Sequence, residues 1–388
     1  MMITFILFCR LKSELCKENP LRIEGLKLIH FRNYSQLELE LDKNLNLFVG
    51  ANGQGKTNLL EAISFLASGS SFRTHHESEF VFWGKKSCLV SGIVSKRFGK
   101  QTQQVCYESE KRRKIYKNEG VLVERRKYLG QLIPVLFTPE DLTLVKGQPQ
   151  GRRRFLDEEI AKVSPVYEYE LGRYQQIVKQ RNFLLKKYRE KIIGSQEIES
   201  WNEQLVLQAV KILTKRMAAL HRISLLARLA HRKLTGSREN LDINYASLPT
   251  HQEGSHPEQI RQSLLESLEE RKQEEVRWGQ TLVGPHRDDI LFFINGKNAK
   301  MYASQGQQRT LVLALKLAEL EYVKGETGEY PVLLFDDVFS ELDESRRRFL
   351  VETIEGRVQT FITGTEAERL GNFRHAGRIF TVSRGEVL

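Results

Sequence analysis

Cysteine is scarce in this chain: four residues in 388, namely Cys9, Cys16, Cys88 and Cys106. None forms a C-x-x-C pair and none stands beside a histidine at metal-ligand spacing, which excludes a zinc ribbon. So sparse a set also excludes a small disulfide-stapled fold, and the thiols read as buried or incidental ones of a reducing cytosol. Long apolar runs are missing too. Met1–Cys9 is apolar but far short of the ~20 residues of a spanning helix. It also lacks the leading basic region and the small-residue cleavage site of a secretory signal. Residues 1–20 therefore read as an extension ahead of the folded part, and the chain as cytoplasmic, with no membrane partner. There is no internal repeat, no low-complexity tract, no zinc finger and no evident helix-turn-helix, so nothing here is a module for reading base edges.

What is present is ordinary globular composition, 40% hydrophobic and 28% charged, with a basic excess: 60 Lys and Arg against 49 Asp and Glu, a net +11. That balance points to a polyanionic partner and says nothing about fold. The length corresponds to two or three domains.

Residues 22–49 alternate apolar and polar side chains, as strands of a half-buried sheet do, and Leu45–Val49 is the more continuously apolar piece expected of a central strand. Strand patterns return between 80 and 138, with a hairpin turn at Lys117-Asn118-Glu119-Gly120. From about 150 to 277 the chain turns rich in Leu, Lys, Arg and Glu. Its apolar residues recur at helical spacing (Leu205, Leu207, Val210, Leu213, Met217, Leu220, Ile223), with a polar interruption at 235–257. After it come a strand ending at an Asn295-Gly296 turn, an apolar helix from Thr310 to Tyr322, a buried strand Val332–Phe335 and last strands at Arg357–Thr363 and Arg378–Val382. The expected organisation is an extension (1–20), an N-terminal strand-rich part (21–150), a helical lobe (151–277) and a C-terminal part (278–388) that returns to strands.

Three segments carry chemistry. Gly50-Ala51-Asn52-Gly53-Gln54-Gly55-Lys56-Thr57 fits G-x-x-x-x-G-K-[ST] between a strand and a helix, and Asn58 continues it. The glycines let backbone N–H groups turn inward around phosphates, and the helix N-terminus adds a favourable dipole. Lys56 neutralises the β- and γ-phosphates and Thr57 offers a hydroxyl to Mg²⁺. In Pro331-Val332-Leu333-Leu334-Phe335-Asp336-Asp337 a buried strand ends in two carboxylates. Asp336 is placed to share Mg²⁺ with Thr57, and Asp337 to orient the attacking water. Ser304-Gln305-Gly306-Gln307-Gln308-Arg309 opens a helix and forms a second anion-binding terminus.

The order of these segments, with Phe31-Arg32-Asn33-Tyr34, Phe137–Leu142, Arg152–Asp157, Gly284–Asp289 and a Ser340–Asp343 loop, resembles the ABC-type ATPases of the SMC and DNA-repair branch, and within it the RecF family, over about residues 21–388. The resemblance implies an α/β fold: mixed β-sheets around a phosphate-loop core with an inserted, mainly helical lobe. It implies that Ser304, Gln305 and Gly306 are a signature segment contacting ATP on a second subunit, and that Ser340–Asp343 is the D-loop. Thr363 stands where relatives carry a switch histidine. Phe137–Asp141 stands near the place of a Q-loop but offers Glu140 and Asp141. Asp337, one methylene shorter than the usual Glu, implies slow hydrolysis.

The function so implied is a weak, DNA-stimulated ATPase. An ATP-dependent homodimer would clamp duplex or gapped DNA in recombinational repair and replication restart, acting with RecO and RecR to help load RecA. The competing readings are a transporter ATPase subunit, which would carry an LSGGQ-type signature and a Glu after the strand aspartate, a long-armed SMC-type structural ATPase, for which the helical insert is short, and a nuclease built on the same core. His286-Arg287-Asp288-Asp289 reads first as a structural ion-pair turn. The clusters Lys111–Lys114, Arg125–Lys127, Arg152–Arg154, Lys186–Arg189 and His231–Lys233 together favour contact with a phosphate backbone.

Overall fold

In a computed structural model, residues 21–74, 76–97, 99–247, 249, 254–365 and 377–388 are described. The N-terminal extension, with Cys9 and Cys16, lies outside them. The chain divides into two compact units, one built from residues up to Thr138 together with Glu329–Leu388, the other from Pro139–Gly328.

The first unit holds two six-stranded sheets. One, ordered β2-β1-β4-β5-β6-β7, is antiparallel: β1 (Arg22–Phe31), β2 (Tyr34–Glu40), β4 (Ser87–Lys96), β5 (Gly99–Glu108), β6 (Arg113–Asn118) and β7 (Val121–Val123). Its period-2 pattern buries Ile23, Leu26, Leu28, Val90, Val94 and Val105 on one face. The turn joining β6 to β7 is the expected one, with Glu119 and Gly120 both at positive φ. The other sheet, ordered β15-β14-β3-β13-β12-β8, is parallel except at β15: β3 (Leu45–Val49), β8 (Pro134–Phe137), β12 (Val332–Asp336), β13 (Thr360–Gly364), β14 (Arg378–Ser383) and β15 (Glu386–Val387). Its central strands are buried at four successive residues each because both faces are covered. Helix α1 (Lys56–Ser68) packs on both sheets, and one core joins its Leu59, Ile63, Phe65 and Leu66 to Phe31, Val90, Leu334 and Phe361. Buried Gln359 stitches the sheets polar-side: its carboxamide accepts from Ile23 N (2.8 Å) and donates to the Ile23 and Asp42 carbonyls (2.8 Å each).

The second unit holds helices α2 (Pro149–Val163), α3 (Pro165–Arg189), α4 (Ser195–Leu234), α5 (Pro257–Glu270) and α6 (Gln305–Thr327) around a separate core. It also contains a three-stranded antiparallel sheet of β9 (Leu241–Ala246), β10 (Asp289–Ile294) and β11 (Lys297–Asn298). Two expectations are corrected here. The boundaries expected at 150 and 277 lie instead at 138 and 328, so residues 278–328, with the Ser304 segment, belong to the helical unit rather than to the C-terminal part. The physical reason is that α6 buries Leu311, Leu315 and Ala318 in the helical core. And the polar interruption after residue 235 is partly a strand, β9, whose Leu241 and Ile243 reach that core once β10 pairs with it.

The Gly284–Asp289 loop is a buried hub of the second unit. Asp289 takes a bidentate contact from Arg152 (2.7 and 2.8 Å), Asp288 accepts from Tyr245 (2.7 Å), and His286 bonds Tyr174 (2.6 Å) and the Thr281 carbonyl (3.0 Å). Arg216 chelates Asp157 through two 2.8 Å bonds and donates to the Pro285 carbonyl. The structural reading of His286–Asp289 therefore fits the geometry. It also removes Arg152, 3% exposed, and His231, fully buried, from the exposed basic clusters. Arg125–Lys127 stay exposed, as do Lys111–Arg113.

Candidate functional site

The site lies in the first unit, at the C-terminal ends of the parallel strands, where ligands of open α/β sheets bind. Strand order explains its composition. β13 lies between β3, which leads into the glycine loop, and β12, which ends in Asp336, so Thr363 at the end of β13 falls between the two motifs and pairs in register with Asp336 and Phe48.

The loop is shaped by glycines that nothing larger can replace. Gly55 has φ 116°, and a Cβ there would meet the Asn33 amide at 2.6 Å. Gly50, at φ 157°, approaches so closely that a Cβ would lie 2.2 Å from the Val382 carbonyl oxygen. Side chains distant in sequence hold the loop: Tyr34 OH donates to the Gly55 carbonyl (3.0 Å) and Asn33 Nδ2 to the Gln54 carbonyl (3.0 Å). Beside Asn33, the turn between β14 and β15 donates Gly385 N to the Gln54 carbonyl (3.1 Å) and Arg384 N to Gln54 Oε1 (2.7 Å). The Asn58 amide is tied to Asn33 and Arg73 (2.7 Å each), and Arg32 forks onto buried Glu61 of α1 (2.6 and 2.8 Å).

Lys56 is buried, and Nζ donates to the Gly50 and Ala51 carbonyls at 2.8 Å each, leaving one of its three donors for an anion. Burial holds its pKa below the ordinary value, with Asp337 and Asp336 pulling the other way. Thr57 Oγ1 donates to Asp336 Oδ1 (2.8 Å), and the same oxygen lies 2.9 Å from Thr363 Oγ1. Thr363 Oγ1 in turn accepts from Asp337 N (3.0 Å), which helps hold Asp337 in the left-handed conformation, φ 54°. A cavity of about 340 Å³ opens over these groups, lined by Asn52, Gly53, Gly55, Lys56, Thr57, Asn58, Arg73, Asp336, Asp337 and Thr363. Asn58 N and Leu59 N donate to the Gly55 carbonyl, and the start of α1 before them is the kind of helix terminus that favours an anion.

The site thus brings together the glycine loop and the two strand carboxylates, as the motifs anticipate. Ser304 sits in the second unit as the N-cap of α6, in a capping box: its hydroxyl accepts from Gln307 N (3.2 Å) and its N–H donates to Gln307 Oε1 (2.9 Å). Ser304 and Gln305 are exposed and Gly306 half-buried. Asp141 is engaged within the second unit by Lys316 of α6 (3.2 Å), and Glu140 is exposed. Val338–Glu341 form a 3₁₀ turn, and Asp343 caps α7 (Glu344–Ile354), accepting from Arg346 N at 2.8 Å. Arg73 and the Arg384-Gly385 turn are site features that sequence reasoning missed. Both come from loops of no recognisable motif.

A phosphate loop, a strand carboxylate hydrogen-bonded to the loop threonine and a helical unit inserted between them define the head of an ABC-type ATPase of the SMC kind. The RecF/RecN/SMC N-terminal domain family matches residues 22–387. The chain is 42% identical over 378 residues to the DNA replication and repair protein RecF of Natranaerobius thermophilus, covering 95% of this chain and 98% of that one. It is 44% identical over 370 residues to RecF of Enterococcus faecalis, covering 95% and 98%. A solved structure of the recombination mediator protein RecF with ATP, from the RecFOR pathway, matches with a TM-score of 0.88 at 34% identity, over 96% of this chain and 98% of that one. The chain belongs to the RecF family of DNA replication and repair proteins.

Proposed function

We propose that the chain is an ATP-driven DNA clamp of recombinational repair and replication restart, and that Gly50–Asn58 binds ATP with Mg²⁺. The residues fit both groups. Gly50 and Gly55 hold a loop contour that a Cβ would break, Lys56 supplies the cation, and Thr57 with Asp336 offers the one or two protein oxygens Mg²⁺ takes beside phosphate oxygens. The observation that carries the reading is the Asp336 Oδ1 atom in the cavity lining, which accepts from both Thr57 and Thr363. When bound, Mg²⁺ neutralises charge on the phosphates. Asp337 is the base that orients water, and Thr363 is a positioning residue that sets the Asp336 carboxylate and the Asp337 backbone.

Ser304, Gln305 and Gly306 complete the site on a second copy of the chain, so ATP favours the dimer by linkage. The clamp holds duplex or gapped DNA by its phosphates, in line with the +11 net charge. Slow, DNA-stimulated hydrolysis resets it. By kinship with proteins of the RecFOR pathway, its partners are RecO and RecR and, through them, RecA, in the cytoplasm.

Mixing variants tests the composite site. Lys56→Ala and Ser304→Arg each alone should show neither ATP-induced dimer nor hydrolysis, while Ser304→Arg still binds ATP as a monomer. Their mixture should regain hydrolysis through one intact site per heterodimer. A normal ATP-induced dimer of Ser304→Arg in light scattering refutes the trans arrangement.

A further inference from the structure

The first unit presents one large aromatic side chain with almost no contact to the rest of the protein. Trp83 is 95% exposed, and among the described residues its indole has no hydrogen bond or ring partner. It stands at the tip of a rigid turn. Lys85 N donates to the Phe82 carbonyl (3.0 Å), and Gly84 at φ 77° occupies the position where such a turn needs positive φ. The turn is pinned on both sides: Phe82 N donates to the His30 carbonyl (2.7 Å), and Ser109 N donates to the Lys86 carbonyl (2.9 Å). Beneath it, Phe80 is buried against Phe31, Phe65 and Tyr107. The indole is therefore held out on a fixed mount rather than at the end of a loose loop.

Its surroundings are cationic. Lys85 and Lys86 follow it after Gly84, and the adjoining β5–β6 turn and the start of β6 carry exposed Lys111, Arg112 and Arg113. Three of these are already committed to carboxylates: Lys86 to Glu110, and Lys111 and Arg113 to Glu108. Among the described residues Lys85 and Arg112 have no such carboxylate partner. A flat π-face beside cations matches a nucleic-acid strand, whose bases stack on aromatic rings and whose phosphates take the positive charge. Within an intact duplex the base faces are hidden by their neighbours, so a single projecting ring can stack only where a base face is open.

From this we infer that Trp83 is a stacking platform for an unpaired base, flanked by phosphate contacts from Lys85 and Arg112, and that it directs the protein to gaps and single-strand–duplex junctions. This rests on the proposed DNA reading and assigns the choice of gapped DNA to one residue.

The test uses the full chain with ATP and two labelled probes, an intact duplex and the same duplex with a short gap. Trp83→Ala should weaken binding to the gapped probe ~5- to 150-fold, the range of one base–aromatic stack, and leave the intact duplex unchanged. Trp83→Phe should recover part of the loss. Lys85→Ala with Arg112→Ala should weaken both probes and lower the salt dependence. In a Trp201→Phe, Trp278→Phe background, where Trp83 is the remaining tryptophan, gapped DNA should quench its fluorescence and intact duplex should not. Equal gapped-DNA affinity for wild type and Trp83→Ala, or quenching that does not distinguish the probes, overturns the inference and leaves the DNA reading standing. Absence of binding to either probe by wild type overturns the DNA reading itself.

Discussion

Single hydroxyls and rings decide the chemistry at the residue scale. Thr363 replaces the histidine that its position suggests by family resemblance, and its hydroxyl links Asp336, Asp337 and the Phe335 carbonyl. Thr363→Val keeps the shape and removes the hydrogen bonds to the Asp336 carboxylate and from the Asp337 N–H. A cost of about 1–3 kcal/mol follows. Hydrolysis should fall by ten-fold or more with nucleotide affinity much less changed, and Thr363→Ser should restore it, as single-turnover ATPase assays will show. His286 illustrates the opposite use of a polar residue. Burial brings its pKa down to about 4 from the ordinary 6.5, with the hydrogen bond to the Thr281 carbonyl opposing and Arg287, Arg153 and Arg181 assisting. Above pH 6.5 the ring is neutral folded or unfolded and contributes no slope. Between 6.5 and 4 the unfolded chain binds a proton that the folded chain refuses, so stability falls as pH falls, by up to about 1.4 kcal/mol per unit. His286→Gln should flatten that part of the stability–pH curve in urea unfolding and leave the curve above pH 7 parallel to wild type.

At the element scale, what the sequence made legible follows from periodicity. The parallel strands β3 and β12 read as buried because their apolar residues are continuous. The hairpin turns at Glu119-Gly120 and Asn295-Gly296 have positive φ at both positions, which favours the two glycines and Asn295, while Glu119 adopts it without that preference. β9 was illegible: its Asp242 and Asn244 alternate with Leu241 and Ile243 in only six residues, and pairing with β10, far along the chain, is what makes it a strand. The same kind of long-range contact hides the strap on the glycine loop. A Cβ on Gly385 would stand 2.4 Å from the Asn33 carbonyl oxygen at φ 79°, so Gly385→Ala must shift the turn and release Gln54. Nucleotide affinity should drop several-fold although no residue lining the cavity has changed. Fluorescent-nucleotide titration is the measurement, and an unchanged dissociation constant would show that the loop holds its shape without the strap.

At the scale of the whole molecule, the phosphate loop and the signature segment belong to units with separate hydrophobic cores. Motif order suggested a lobe inserted before residue 278. Contacts move the far boundary to 328 because α6, which begins at the signature, spends its apolar face on the helical core. The N-terminus of α6 therefore belongs to a different compact unit from the Gly50–Thr57 loop. A ligand that binds one unit protects that unit's amides by its binding free energy, about 2.7 kcal/mol at a hundred-fold excess over Kd, and need not protect the other's. Hydrogen exchange can separate the two contributions. In Ser304→Arg, which stays monomeric on the proposed reading, ATP should slow exchange in peptides covering residues 50–66 and 332–337 and leave those covering 304–312 at their rates without nucleotide. In wild type at concentrations that dimerise, 304–312 should slow as well, because a second copy's nucleotide now seats on that helix terminus. Protection of 304–312 in the monomeric variant would mean that the signature answers to its own chain's ATP, and the composite site would have to be redrawn as an intramolecular one.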